Sequence, residues 1–404
     1  MRILFLCNKL PHSEVAGGHR IIYQRIRYLA NAGHQVGLLT FITDKKDEQI
    51  QSLQPFLTEL HTVPLPRRNI IVRAFHDYLT LSRPAVFWKS YSKEMMKTLG
   101  ETVEKGNYDV VVAEFSEMGQ YLHKNPYLSA VHKIISCHRC VAASYEKYKD
   151  LNEVKWRLYL KSLPQVRGLE KYEFEMYRSA DRTLVLTPQD RFTMQYYAPD
   201  LSISVASSGV DINYLQEHPP IPKEPIILMT GYMRDPANED GVEWFYHHIW
   251  PQLSKNHPEI KFYIVGAEPS PRMKRILSGE RRIIITGKVK DLRPYRNRAR
   301  VLVSPVRLGS GLRTKVLEAM AAGLPVVSTS LGMAGIEAQT GVNCLVADTP
   351  ELFTRSVEWL LTDRTLGVRM ARNARELVEK KHALEIGLHH FEKSIKLVVE
   401  GTRQ

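Results

Sequence analysis

Between Ser304 and Ser328 the chain concentrates residues suited to a phosphorylated ligand: Gly309 and Gly311, then Arg313, Lys315 and Glu318. Glycines let a backbone approach a ligand closely, and a helix that starts just after them presents unpaired N–H groups and a positive dipole end to an anion. Arg313 and Lys315 add full positive charge at the same place. A diphosphate suits such a turn. Glu318 falls roughly one and a half turns into the helix at about 3.6 residues per turn, too far in to cap it. Its carboxylate could accept two hydroxyl hydrogen bonds, as a ribose diol would offer. The same residues also describe an ordinary strand–turn–helix joint with a solvated glutamate and two surface cations.

A second cluster, Cys137-His138-Arg139-Cys140, ends an apolar run. Two thiols at that spacing could chelate a metal or pair with each other, but without a second Cys/His pair they make a poor zinc site. No Asp-x-Asp occurs to hold a divalent ion on a diphosphate, and no Gly-x-x-x-x-Gly-Lys-Ser/Thr loop occurs either. No metal site is expected.

These residues need a frame. Short apolar runs, Ile3–Cys7, Gln35–Phe41, 109–113, 133–136 and 182–186, alternate with helical stretches such as His19–Asn31, which Gly17-Gly18 introduces. Apolar strands separated by helices predict a parallel sheet covered on both faces. Four prolines within 218–225 predict an extended linker. A second series follows at 226–230, 261–265, 282–286, 301–304 and 325–328. The expectation is an α/β protein with a first domain over 1–217, a linker over 218–225, a second domain over 226–381 and a final helix over 382–404 that returns to the first domain. A length of 404 residues suits two cores better than one.

Hydrophobic residues at 44% and charged residues at 25% are ordinary soluble usage. The net charge of +13 favours anionic partners. Scattered cysteines and the lack of a long apolar run predict a cytoplasmic protein whose membrane association, if any, is peripheral. From Pro64 to Lys97, basic residues including Arg67, Arg68, Arg73, Lys89 and Lys93 interleave with Ile70, Ile71, Phe75 and Trp88. That mixture suits an anionic membrane surface, with the apolar side chains entering the interface, and equally a solvated basic face. No nucleic-acid motif accompanies the charge.

The stretch Leu317-Glu318-Ala319-Met320-Ala321-Ala322-Gly323-Leu324-Pro325-Val326-Val327 resembles the C-terminal signature of retaining GT-B-fold glycosyltransferases, particularly glycosyltransferase family 4 (group 1). The likeness extends in order through Gly17-Gly18, 208–211, Gly231-Tyr232-Met233 with Pro236, Asn238 and Asp240, then Val265-Gly266 and Gly287-Lys288-Val289. The sequence departs from the family pattern at Ser310, where an acidic residue usually stands, and at Tyr232 and Asp240, which replace a customary Arg and Lys.

The resemblance implies two facing Rossmann-like domains and transfer of a sugar, with retention, from a nucleotide diphosphate sugar of UDP or GDP type to a glycan, lipid-linked or small-molecule acceptor. A nucleotide sugar would be the co-substrate, with no other cofactor. His138 would position the sugar and help stabilise charge at its anomeric carbon. Arg313 and Lys315, with Arg234, would neutralise the departing diphosphate, and Glu318 would bind the ribose. Gly17, Gly18, Gly231, Gly287, Val289, Gly309, Ser310 and Gly311 would complete the donor site. Two other readings share this architecture: a sugar-nucleotide-binding subunit without transfer, and a nucleotide-sugar epimerase.

Overall fold

The computed structural model describes residues 1–12, 18–42, 47–66, 83–143, 168–213, 215, 224–309 and 311–401. They divide into two units, one formed by Met1–Ser207 with Leu388–Gln404, the other by Ser208–Gly387. Of the proline-rich segment, 218–223 lies outside the described residues, as do Gly17, Ser310 and the basic stretch 67–82.

The first unit is built on strands β1 (Arg2–Cys7), β2 (Gln35–Ile42), β3 (Glu59–Pro64), β4 (Val110–Glu114), β5 (His132–Cys137), β6 (Arg182–Val185) and β7 (Ile203–Val205). They pair in parallel in the order 3-2-1-4-5-6-7. The apolar runs are continuous because each strand buries both faces. In β1, Leu4 and Leu6 point into one core with Leu39, Val111 and Ala113. Ile3, Phe5 and Cys7 point into the other, with Val36, Leu38, Val110 and Val112. The last helix, Leu384–Gly401, supplies Phe391, Ile395, Val398 and Val399 to that second core.

The second unit carries β8 (Ile226–Thr230), β9 (Lys261–Val265), β10 (Ile283–Gly287), β11 (Val301–Ser304), β12 (Val326–Ser328) and β13 (Leu345–Val346). They pair in parallel in the order 10-9-8-11-12-13. Ile227 and Met229 face one core, while Ile226 and Leu228 face the other with Leu302 and Val326. Onto that second face packs the helix Thr314–Ala321 through Val316, Leu317, Ala319 and Met320. Both units are Rossmann-like parallel sheets. In each, strand order reverses beside the first strand, between β1 and β4 and between β8 and β11. In open parallel sheets the crevice at the carboxyl ends of such a pair is where ligands bind.

Trp88 corrects one expectation. Proposed for a membrane interface, it lies buried, and its neighbour Phe87 belongs to the first unit's core. Lys89 and Lys93 are exposed.

Candidate active site

In the second unit, β11 runs into Gly309 and Gly311, whose φ values of 86° and 90° lie in the left-handed region that glycine enters without steric cost. The helix Thr314–Ala321 then starts with no side-chain cap, whereas the helices after Thr187, Asp235 and Thr349 are each capped by those side chains. Of its first-turn amides, those of Thr314 and Val316 donate to the Leu312 and Arg313 carbonyls at 3.2 and 2.9 Å, and no side chain lies across the helix start.

Lys315, in that first turn, donates from Nζ to Asn238 Oδ1 at 2.6 Å. Asn238 in turn donates to the Tyr232 carbonyl at 2.8 Å. The lysine thus ties the helix Thr314–Ala321 to the helix Pro236–His248 and, through Asn238, to the loop after β8. Burial, and then the neighbouring Arg313 charge, lower its pKa from 10.5 to about 7, with Asp235 acting weakly in the other direction. Arg313 folds back over the turn and donates to the Leu308 carbonyl at 3.0 Å.

Glu318 does not stand as a solvated carboxylate. Arg296, buried on the helix Arg293–Arg298, donates to it and fixes one carboxylate oxygen. In the sequence Arg296 is only one of three arginines in the run Arg293–Arg298 between β10 and β11, and nothing in that run marks it as the buried one. Close approach of backbone also shapes the crevice: a Cβ on Gly266, after β9, would stand 1.6 Å from the Gly231 carbonyl oxygen after β8.

The switch point between β8 and β11 therefore gathers Gly231, Gly309, Gly311, Arg313, Lys315 and Glu318. Gly287 and Val289 lie apart from it, and Arg234 is engaged by another partner. Gly287 ends β10, which lies beyond β9 and so about 10 Å from β8. Val289 packs against the core with Leu292 and Tyr295. Arg234 is exposed and pairs with Glu268 at 3.1 Å, beside the Tyr232 hydroxyl, which donates to the same carboxylate at 2.8 Å. Arg307 makes a two-point pair with Asp240 at 3.1 and 3.0 Å.

In the first unit, Gly18 opens the helix after β1, and a Cβ there would stand 2.4 Å from the Phe115 ring and 3.3 Å from His138 Nδ1. His138, just after β5, packs on Phe115 with ring centres 4.4 Å apart and hydrogen-bonds through Nε2 to Glu114 at 2.8 Å. His19 also faces Phe115, with ring centres 5.1 Å apart, and reaches Asn8 at 2.9 Å. Burial, followed by the charges of His12, Lys9 and His138, lowers its pKa to about 4, so it is neutral near pH 7. Cys137 and Cys140 are both buried, and burial raises both thiols. Among the described residues no group of three or more His, Cys, Asp or Glu could hold a metal ion, and no helix is long and apolar enough to cross a membrane.

Residues 224–363, which include the second unit's crevice, match the family described as Glycosyl transferases group 1. An uncharacterized 44.6 kDa protein of the cps region of Klebsiella pneumoniae is 23% identical over 376 residues, 88% of this chain and 90% of its own length. Among solved structures, sucrose-phosphate synthase from Thermosynechococcus elongatus is similar at a TM-score of 0.75 and 17% identity, covering 99% of this chain and 100% of that one. A variant of S. aureus TarM, in complex with fondaparinux, alpha-GlcNAc-glycerol and UDP, gives 0.73 and 12% over 98% and 100%. Anabaena HepE in complex with UDP-glucose gives 0.69 and 13% over 98% and 99%. At these identities the structures establish the fold, that of the GT-B glycosyltransferases.

Proposed function

We propose, from a second unit that carries a Glycosyl transferases group 1 domain, that this protein transfers a sugar from a nucleotide diphosphate sugar to a glycan, lipid-linked or small-molecule acceptor, retaining anomeric configuration. One observation carries the reading. A left-handed glycine turn, an uncapped helix start and the cations Arg313 and Lys315 meet at the β8–β11 switch point, with Glu318 held by Arg296 one turn further along. That is a cradle for a diphosphate with a carboxylate placed for a ribose.

Charge that develops on the leaving diphosphate would be stabilised by fixed donors and cations, which need not reorganise during the reaction. These cations would do the work of a divalent ion, making transfer metal-independent. The UDP described with HepE and TarM favours a uridine donor over a guanosine one. His138, at the mouth of the first unit's own crevice, would position the transferred sugar.

The test is a screen of UDP- and GDP-sugars for thermal stabilisation of the purified protein, because a ligand that binds only the folded state raises apparent stability. It is followed by product analysis with and without EDTA. A glycosylated acceptor, formed equally with chelator, is the expected outcome. Stabilisation without any product would make the protein a binding subunit, an epimerised nucleotide sugar would make it an epimerase, and loss with EDTA restored by Mg²⁺ would overturn metal independence.

A further inference from the structure

The first unit buries an ion pair that donor binding does not use. Glu114, at the end of β4, is fully buried and accepts from Arg25 Nη1 with both carboxylate oxygens, at 2.9 and 3.0 Å. The same Nη1 donates to Ser136 Oγ at 2.8 Å, and Nη2 reaches the Ala206 carbonyl at 3.3 Å. The guanidinium lies 4.1 Å from the centre of the Phe391 ring. Arg25 is thereby held from β5, from the segment after β7 and from the last helix, and it holds Glu114 in one place. Burial alone would raise the Glu114 pKa, but the Arg25 charge and the His138 bond outweigh it and hold it at about 2. Cys7 also faces Glu114, and burial and then that charge keep its thiol protonated.

A second observation points to the same spot. Phe115, next in the chain, has φ 72° and ψ 147°, a conformation that is nearly confined to glycine. The unusual backbone puts its ring against His138 and into the space that Gly18 leaves open. Strain of this kind persists where the surroundings over-determine it, and it clusters at functional sites.

We infer that Glu114 is the positioning residue of His138, fixing its tautomer and ring so that Nδ1 faces the crevice beside Gly18. An ionised carboxylate only accepts hydrogen bonds, so Nε2 must carry the proton of that bond, and in the neutral form of the ring the lone pair lies on Nδ1. Phe115 covers one ring face and Glu114 anchors the far nitrogen. The inference rests on the proposed role of His138 in sugar transfer.

The experiment uses the full chain labelled with ¹⁵N-histidine, with the His138 imidazole assigned by its loss in His138→Gln. Native protein is expected to show a single Nε2–H tautomer. In the double variant Arg25→Met with Glu114→Leu, which removes both buried charges together and so avoids stranding one, the His138 signals should become a tautomer mixture. Turnover should fall about 100-fold, the scale of a misplaced reacting group, with donor KM nearly unchanged. Glu114→Gln in the Arg25→Met background, whose amide oxygen still accepts and which strands no charge, should recover the tautomer and part of the turnover. An Nδ1–H tautomer in native protein overturns the inference, and so does an unchanged tautomer or turnover in the folded double variant. If the variant with Glu114→Leu does not fold, the native spectrum and Glu114→Gln in the Arg25→Met background decide. Absence of transfer by native protein with every nucleotide sugar would instead remove the enzymatic reading, and the tautomer measurement would still stand.

Discussion

Glu318 and Arg296 form a partly dry ion pair, with the arginine 3% and the glutamate 12% exposed. Glu318→Ala would strand the buried guanidinium and cost about 3–5 kcal/mol of stability, which would obscure any effect on binding. Glu318→Gln keeps the shape and loses the charge. If the carboxylate binds a ribose diol, nucleotide affinity should weaken by about 1–2 kcal/mol, the difference between charged and neutral hydrogen bonds, or roughly 5- to 30-fold in calorimetry. Unchanged affinity would remove Glu318 from the site. Lys315 makes a pH prediction. Its pKa is near 7 in the folded protein and 10.5 ordinarily, so between those values the unfolded chain binds more protons and the lysine's contribution to stability improves as pH rises. Diphosphate prefers the charged amine, so affinity for a nucleotide sugar should fall as pH rises above 7. Lys315→Arg should flatten that dependence, and a native profile equally flat would separate Lys315 from the phosphates. The glycines, cations and Glu318 were legible because their chemistry sits within one short stretch of sequence. Arg296, Arg25, Glu114 and Phe115 were not: Arg25 and Glu114 stand 89 positions apart, and residue type alone does not say which arginine is buried on which carboxylate.

Elements were legible in proportion to their apolar length. β8, β9 and β11 fall at the expected residues, and β1, β2, β4, β5, β6, β10 and β12 differ only at their ends. Three strands escaped. β3 (Glu-Leu-His-Thr-Val-Pro) is an edge strand whose polar residues carry no continuous apolar run. β7 and β13 have only three and two residues, and neighbouring strands, not their own pattern, define them. Among the described glycines the tightest approach lies where β8 and β9 end. Gly266→Ala would drive a methyl into the Gly231 carbonyl, backbone against backbone, and should cost about 1–3 kcal/mol or more by forcing the strand ends apart. Gly279→Ala is the control, because nothing lies within 4 Å of its Cβ. Melting curves with and without nucleotide sugar should show the first variant destabilised and poorly rescued by ligand, the second close to native. Equal behaviour would show that the joint yields easily.

At the scale of the molecule, the net charge of +13 and the basic, apolar stretch from Pro64 to Lys97 suit peripheral attachment to the inner, anionic face of a membrane. With Trp88 buried, such attachment would rest more on the cations than the sequence suggested. Sedimentation with vesicles of rising anionic lipid content should fall with salt, since exposed charges are screened over about 8 Å at physiological ionic strength. It should also fall in a variant with Arg67, Arg68 and Arg73 each changed to Glu; equal sedimentation of variant and native protein would favour a soluble acceptor. The returning helix was foreseen from sequence, with its start set at 382. The helix begins at Leu384, and the first unit takes the chain back at Leu388. That return has a consequence in time. Phe391, Ile395, Val398 and Val399 are needed to close a core whose first strand begins at Arg2. The ribosome must therefore synthesise the intervening second unit, about 180 residues, before the first can finish folding. At roughly 5–20 residues per second that is a delay of about 10–40 s. Through that interval the apolar face of β1, β2 and β4 has Ile22, Ile26 and Leu29 of the helix Gly18–Asn31 over it but lacks the last helix, and the nascent chain should depend on chaperones until that helix emerges.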